Sequence, residues 1–195
     1  MSDKETLAVY ARKVDEYQKV AMTPEEQNAL SEFLSHLKPG AHILDLGCGP
    51  GHHAADMMAQ GFTVTAIDAT PGFVQAAQAR GVDARVGVFD DLTETATYDA
   101  IWASFCLLHA PRADFPRHLD AITSALKPGG HLYLGLKLGD GEIRDSIGRF
   151  YSYFQEDELR QHLNARGYRI KVWTFGEGAG LSGEIHPFVL ITAQK

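Results

Sequence analysis

The sequence predicts an α/β fold: a three-layer sandwich with a seven-stranded, mostly parallel sheet and an antiparallel hairpin at one edge. Three observations predict it. From residue 41 to 138, strand-like apolar runs alternate with helical patterns, an order that sets a parallel sheet between helical layers. The first run breaks into Gly47-Cys48-Gly49-Pro50-Gly51 and then a helical pattern of Ala54, Ala55 and Met58, closed by Gly61. The chain finishes as helix, strand, Gly-rich turn, strand, which supplies the antiparallel edge.

Two helical stretches come first, over about 4–20 and from Thr23 to just before Lys38-Pro39-Gly40. The second opens on Thr23-Pro24-Glu25-Glu26, an N-cap with proline at N1 and an acid at N3. Strand one covers 41–46 and its helix 52–60. Strand two covers 62–67, and Thr70-Pro71 opens a helix ending at Arg80-Gly81. Strand three lies near 84–88 and strand four at 98–103. Phe115, Leu119, Ile122 and Leu126 share one face of the next helix, which stops at Lys127-Pro128-Gly129-Gly130. Strand five covers 131–138. A last helix covers 156–166, with acids in its first turn and Gly167 at its C-cap. Residues 168–175 and 186–192 are the closing strands. No composition shift divides the chain, so 1–195 is expected to be one domain: a helical cap over 1–38 and a Rossmann-like core over 39–195.

At 45% hydrophobic, 195 residues suffice for a substantial core. No apolar run approaches the ~20 residues that span a bilayer. The stretch Met1-Ser2-Asp3-Lys4-Glu5-Thr6 has no signal-peptide core. Cys48 and Cys106 have no metal-ligand spacing, so reduced thiols and a cytoplasmic location are expected. A net charge of −7 without a Lys/Arg cluster argues against a grip on nucleic-acid phosphates. His52 and His53 adjoin, the other histidines scatter, and no metal motif is present, so no metal is expected. The expected partner is a small molecule, with no membrane, in a monomer or homodimer.

The glycine turn carries the chemistry. A dinucleotide fingerprint, Gly-x-Gly-x-x-Gly, cradles a pyrophosphate. Here the spacing of Gly47, Gly49 and Gly51 is one residue shorter. Asp45 precedes the turn, where a carboxylate repels pyrophosphate and holds an ammonium, directly or through water. Both features disfavour a nicotinamide-dependent oxidoreductase. The run Leu44-Asp45-Leu46-Gly47-Cys48-Gly49-Pro50-Gly51 resembles motif I of the class I, seven-stranded S-adenosylmethionine-dependent methyltransferases. The resemblance extends over about 41–138 in four ordered motifs, and is to small bacterial members acting on small molecules. It implies S-adenosylmethionine as cofactor and S-adenosylhomocysteine as product. It places Asp45 near the methionine end and Gly47, Cys48, Gly49 and Gly51 against the cofactor.

The other motifs follow in order. Asp68 closes strand two, 17 positions after Gly51, where an acid accepts both ribose hydroxyls, with Ala69 beside it. Gly87-Val88-Phe89-Asp90-Asp91-Leu92 departs from the family pattern, because Val88 stands where its adenine-reading acid belongs. Either Asp90 replaces that acid, or backbone amides read adenine with Phe89 packed nearby and Asp90 is a plain turn acid. Strand four runs out at Ala103, and Ser104 to His109 cross the carboxyl ends of the strands. His109, in the family's "L-x-H" position, either faces the site or staples the loop to the next helix. Tyr10 and Tyr17 share a helical face. They close over the cofactor, as family tyrosines do, or anchor the core.

The sulfonium supplies the reactivity and the protein the alignment, worth on the order of 7–11 kcal/mol. No protein nucleophile is needed, and no catalytic residue is assigned. The acceptor site is expected from the N-terminal helices, the loop after strand four and residues 137–153. That last segment contributes Arg149 to clamp a carboxylate and Tyr151 or Tyr153 as a wall, unless it is a solvated loop. Together with the N-terminal helix it is expected to form a lid. The family's Asn/Asp-Pro-Pro-Tyr mark is absent, which favours a small molecule over DNA. The expected function is methyl transfer to a small molecule by direct in-line displacement; the alternative is a non-catalytic protein that binds S-adenosylmethionine.

Overall fold

Local signals start the helices of the computed structural model, which describes residues 3–20 and 22–195. Met1 and Ser2 of the N-terminal stretch read above lie outside the described residues. Asp3 caps helix α1 (Lys4–Arg12) by accepting from the Thr6 amide at 2.8 Å. Thr23 and Glu26 form the expected reciprocal capping box on α3 (Pro24–Ser35). The single helix expected over 4–20 breaks at Lys13, whose φ −113° and ψ 15° leave the helical region, and resumes as the short α2 (Val14–Tyr17). The break turns the chain so that Tyr10 and Tyr17 meet edge to face at 5.5 Å and both rest on Phe73.

The main sheet has seven strands, as the alternation predicted. They are β1 (His42–Leu46), β2 (Thr63–Asp68), β3 (Asp83–Val86), β4 (Tyr98–Ser104), β5 (Leu126–Lys137), β8 (Arg169–Ala179) and β9 (Ile185–Gln194), in the order β3-β2-β1-β4-β5-β9-β8. The first five are parallel, and β9 runs antiparallel between β5 and β8. Chain order reverses between β1 and β4, which opens a crevice at their carboxyl ends. Helices α4 (His52–Ala59), α5 (Pro71–Ala79), α6 (Phe115–Ala125) and α7 (Glu156–Asn164) complete the layers. Two apolar clusters fill the faces: Leu44, Ile101, Leu119 and Leu132 belong to one, and Phe33, Met57, Trp102 and Tyr133 to the other. Trp102 and Tyr133 stack at 3.6 Å.

Three elements differ from expectation. β5 starts at Leu126 rather than 131, because Leu126 pairs with Tyr98 before the register shifts. Residues 137–153 are not an irregular loop: β6 (Glu142–Arg144) and β7 (Phe150–Ser152) form a separate antiparallel ribbon. β8 and β9 pair out to Ala179 and Ile185, whereas β5 stops pairing with β9 at Lys137 and Phe188. The hairpin therefore projects past the sheet as an arm. Among the described residues, no helix is long and apolar enough to cross a membrane.

Candidate functional site

A cavity of about 1190 Å³ opens at the carboxyl ends of the parallel strands, bounded by α1, α3, the β4 loop, β7 and the β8–β9 arm. Its floor is the glycine turn. Gly47, Gly49 and Gly51 all have positive φ, at 73°, 54° and 82°. Their surroundings differ. A Cβ on Gly47 would lie 2.3 Å from Cys106 Cβ, and one on Gly51 would lie 2.7 Å from Ala77 Cβ. Those two glycines allow the turn to pack against the β4 loop and α5. A Cβ on Gly49 would meet nothing within 4 Å, so bare backbone faces the cavity.

Asp68 braces this turn from the end of β2. Its Oδ2 accepts from the Gly49 amide at 2.9 Å and its Oδ1 from the Thr70 amide at 2.7 Å. Burial raises its pKa. Asp45 is buried inside β1, and its Oδ2 has no hydrogen-bond partner. Burial, then the nearby Asp68 charge, pushes the Asp45 pKa up to about 8. Cys48 and Cys106 are free thiols, and burial pushes both pKa values up, which keeps them neutral and unreactive.

Of the residues singled out from sequence, Tyr10, Tyr17, Gly47, Cys48, Gly49, Asp68, Ala69, Phe89, Ser104, His109, Arg149 and Tyr151 line the cavity. Four do not. Asp45 is enclosed in the sheet. Gly51 faces Ala77. Ala103 is packed into the core cluster with Leu119 and Leu134. Asp90 turns outward to pair with Arg117 and His118, because the short 3-10 turn Phe89–Asp91 aims its side chain at α6. That leaves Gly87, Val88 and Phe89 at the wall, with the Gly87 and Val88 amides already donating to the Asp68 carbonyl and to Asp91 Oδ2.

His109 staples, though not to the next helix. Its Nδ1 is 2.7 Å from the Phe150 carbonyl, and its Nε2 is 2.7 Å from Tyr10 Oη. A carbonyl only accepts, so Nδ1 carries the proton and Nε2 accepts from the tyrosine. Burial lowers the His109 pKa to about 4. Tyr10 Oη also accepts from Arg149 Nη1 at 3.2 Å. Arg149, expected in an open or solvated segment, is instead 1% exposed. Its Nε and Nη2 lie 2.9 and 2.8 Å from Asp145 Oδ2. α1 is tied to the ribbon again where Arg144 pairs with Asp3 and the Phe150 amide donates to Thr6 Oγ1.

Sequence reasoning missed two parts of the wall. One is the role of Lys137, which opens the expected 137–153 segment but is given no contact of its own there. The other is the β8–β9 arm, which brings Phe175, Gly176, Gly180 and Phe188 over the cavity. The available signal was the Gly-rich run between the two last strands: Gly176 fits the Phe188 ring so closely that a Cβ there would lie 2.3 Å from it.

Residues 43–130 match the methyltransferase domain family. A ubiquinone biosynthesis O-methyltransferase of Xylella fastidiosa is 35% identical over 122 residues, 58% of this chain and 48% of that protein. One of Xanthomonas oryzae pv. oryzae is 39% identical over 103 residues, 49% of this chain and 42% of that protein. The chain spans about half the length of the curated relatives it matches. In fold it is similar to Burkholderia thailandensis 1,6-didemethyltoxoflavin-N1-methyltransferase, solved with 1,6-didemethyltoxoflavin and S-adenosylhomocysteine. The TM-score is 0.76 at 24% identity, covering 97% of this chain and 86% of that one. The domain match starts in β1 and runs through the glycine turn into β5, so residues 43–130 of this chain are similar to the methyltransferase domain family, and the sheet they build has the fold of these solved neighbours.

Proposed function

We propose that this protein transfers the methyl group of S-adenosylmethionine to a small-molecule acceptor by direct in-line displacement, as a cytoplasmic monomer or homodimer. The observation that carries the reading is the pairing of Gly49 with Asp68: open backbone beside a strand-end carboxylate, at the switch point of the sheet. The residues fit the cofactor. Asp45 lies behind the glycine turn and not on the cavity wall, so its unpartnered Oδ2 would reach an ammonium only through water. Asp68 suits the ribose, and the Phe89 ring, with Gly87 and Val88 beside it on the wall, suits the face of the adenine. The cavity exceeds the ~300–1,000 Å³ of most single-ligand pockets, which leaves room for an acceptor beside the cofactor.

The sulfonium, when bound, supplies an activated methyl group. This chain's residues supply alignment and exclude water. We read 1–38 as a cap over a 39–195 core, with α1 and residues 137–153 as one lid, since Tyr10, His109 and Arg149 are hydrogen-bonded across it. His109 is a poor general base, because its lone pair already accepts from Tyr10. The acceptor atom is therefore one that arrives with a free lone pair, such as a neutral nitrogen, or that is acidic enough to arrive ionised. Relatives named O-methyltransferase make an acidic hydroxyl the first acceptor to test. The test is calorimetry with S-adenosylmethionine and S-adenosylhomocysteine, followed by assay of S-adenosylhomocysteine production with a panel of hydroxylated metabolites. Micromolar binding and turnover of a panel member are expected. No binding of either cofactor form would overturn the reading, and binding without any turnover would favour a sensor or structural ligand.

A further inference from the structure

Two cationic side chains converge on one spot of the cavity wall. Lys137 is 8% exposed and Arg149 1%. A Cβ on Gly180, in the turn of the β8–β9 arm, would lie 3.5 Å from Lys137 Nζ, 3.5 Å from Arg149 Nη2 and 3.9 Å from Tyr151 Oη. Among the described residues, Lys137 Nζ has no carboxylate within ion-pair distance and no hydrogen-bond acceptor. Its one close partner is the Tyr151 ring, 4.3 Å from the nitrogen. Arg149 Nη2 is buried and makes no directed hydrogen bond, although it lies near Asp145. The acids that act on Lys137 are Asp145 and Glu184, and the first is already committed to Arg149. Burial and the Arg149 charge lower the Lys137 pKa, the signature of an ammonium lacking a counter-ion.

The surroundings are aromatic. Tyr10 and Tyr151 lie beside the Arg149 guanidinium, at 5.7 and 5.1 Å. Phe105 and Phe188 meet edge to face at 5.5 Å farther along the wall. Phe105 holds a φ of 50°, unusual for a side chain of its size, at the end of β4. An unpaired buried ammonium is costly unless an anion joins it.

We propose that Lys137 and Arg149 Nη2 form a subsite for the carboxylate of an aromatic acceptor, which sets the substrate class as aromatic acids. This rests on the methyl-transfer reading. The carboxylate sits between the two cations at the Gly180 turn, and its ring lies against Tyr151 and Phe105. The sulfonium end belongs to the glycine turn and Asp68 side of the cavity, so the subsite serves the acceptor and not the cofactor.

The test uses the full chain saturated with S-adenosylhomocysteine, titrated with 3,4-dihydroxybenzoate and with the neutral 3,4-dihydroxybenzamide. The acid should bind about tenfold or more tightly than the amide, the scale of a charge-assisted contact. Lys137→Met should abolish that preference while S-adenosylhomocysteine affinity stays within about twofold. Gly180→Asp is the companion variant. Its φ permits a side chain, and it places a carboxylate between the two cations. It should raise the melting temperature and abolish acid binding. Equal binding of acid and amide, binding of neither, or a preference that survives in both folded variants overturns the subsite. So does a Lys137→Met variant that loses S-adenosylhomocysteine affinity as strongly as acid affinity, because the ammonium would then serve the cofactor. Failure of S-adenosylhomocysteine to bind the unaltered protein would instead overturn the methyl-transfer reading itself.

Discussion

Tyr10 Oη and His109 Nε2 lie 2.7 Å apart, although 99 positions separate them in the chain. This contact joins the first helix to the loop that leaves β4. The same oxygen accepts from Arg149, so one phenol links the N-terminal helix, the β4 loop and the β6–β7 ribbon. α1 is therefore part of the cavity roof rather than an appendage.

Tyr10→Phe should release that roof. Loss of the hydroxyl leaves His109 Nε2 and one Arg149 nitrogen without a partner, at about 1–3 kcal/mol of stability. Urea unfolding checks this figure. Turnover should fall more than S-adenosylhomocysteine affinity, and amide exchange near Tyr151 should speed up. Unchanged exchange would detach α1 from the lid.

His109 should make the protein acid-sensitive. Its folded pKa, about 4, is below the ordinary 6.5, so the folded state disfavours the protonated ring. Its contribution to stability is complete above pH 6.5 and is lost as pH falls toward 4. His109→Gln keeps a donor and an acceptor but does not titrate. The melting-temperature gap between the two proteins should therefore change within that window and be flat above it.

Asp45 should act with the opposite sign. Its folded pKa, about 8, is above its ordinary 3.8, so the folded state favours the protonated carboxyl. Its own contribution to stability is greatest below pH 3.8 and declines as pH rises to 8, where the buried group ionises. Each pKa unit is worth about 1.4 kcal/mol, so the full decline is several kcal/mol. Asp45→Asn cannot ionise. It should be the more stable protein above pH 8, lose that advantage near pH 4, and bind S-adenosylmethionine more weakly. Parallel melting curves across pH would show that Asp45 is not the titrating group.

Asp68→Ala should weaken S-adenosylhomocysteine binding by about 1.5–3 kcal/mol, as expected for hydrogen bonds to a charged group. The Gly49 and Thr70 amides also lose their acceptor, so the turn loosens. Asp68→Asn retains one acceptor oxygen and separates the two effects. Calorimetry on both variants reads the binding, and thermal melts read the turn.

The glycines should divide by neighbour. Gly47→Ala drives a methyl group to within 2.3 Å of Cys106 Cβ and should prevent normal folding. Gly49→Ala finds open space, at a cost of about 1–2 kcal/mol for its left-handed backbone. It should fold and still bind cofactor poorly, and Gly49→Val should abolish binding. Normal affinity in folded Gly49→Val would remove the ligand from this turn.

The sequence by itself determined what depends on near neighbours and periodicity. Strand–turn–helix alternation specified the seven strands and the edge hairpin, because period and turn chemistry are local properties. The Thr23 capping box was readable for the same reason, as was the register of glycines in 47–51. Even the break at Lys13 lies inside a helix that the pattern located.

Tertiary structure alone decided which side chains meet. Asp90 and Phe89 are adjacent in sequence, yet one turns to Arg117 and the other lines the cavity. Gly51 belongs to the ligand motif by its spacing, yet it packs against Ala77. Lys137, a strand residue without a motif, gained its character from Arg149 and Tyr151 of the β6–β7 ribbon and from Gly180 in the β8–β9 turn. The physical reason is range. Backbone conformation is set within a few residues, whereas the burial of a charge and the partner it finds are set by segments that only the folded sheet brings together.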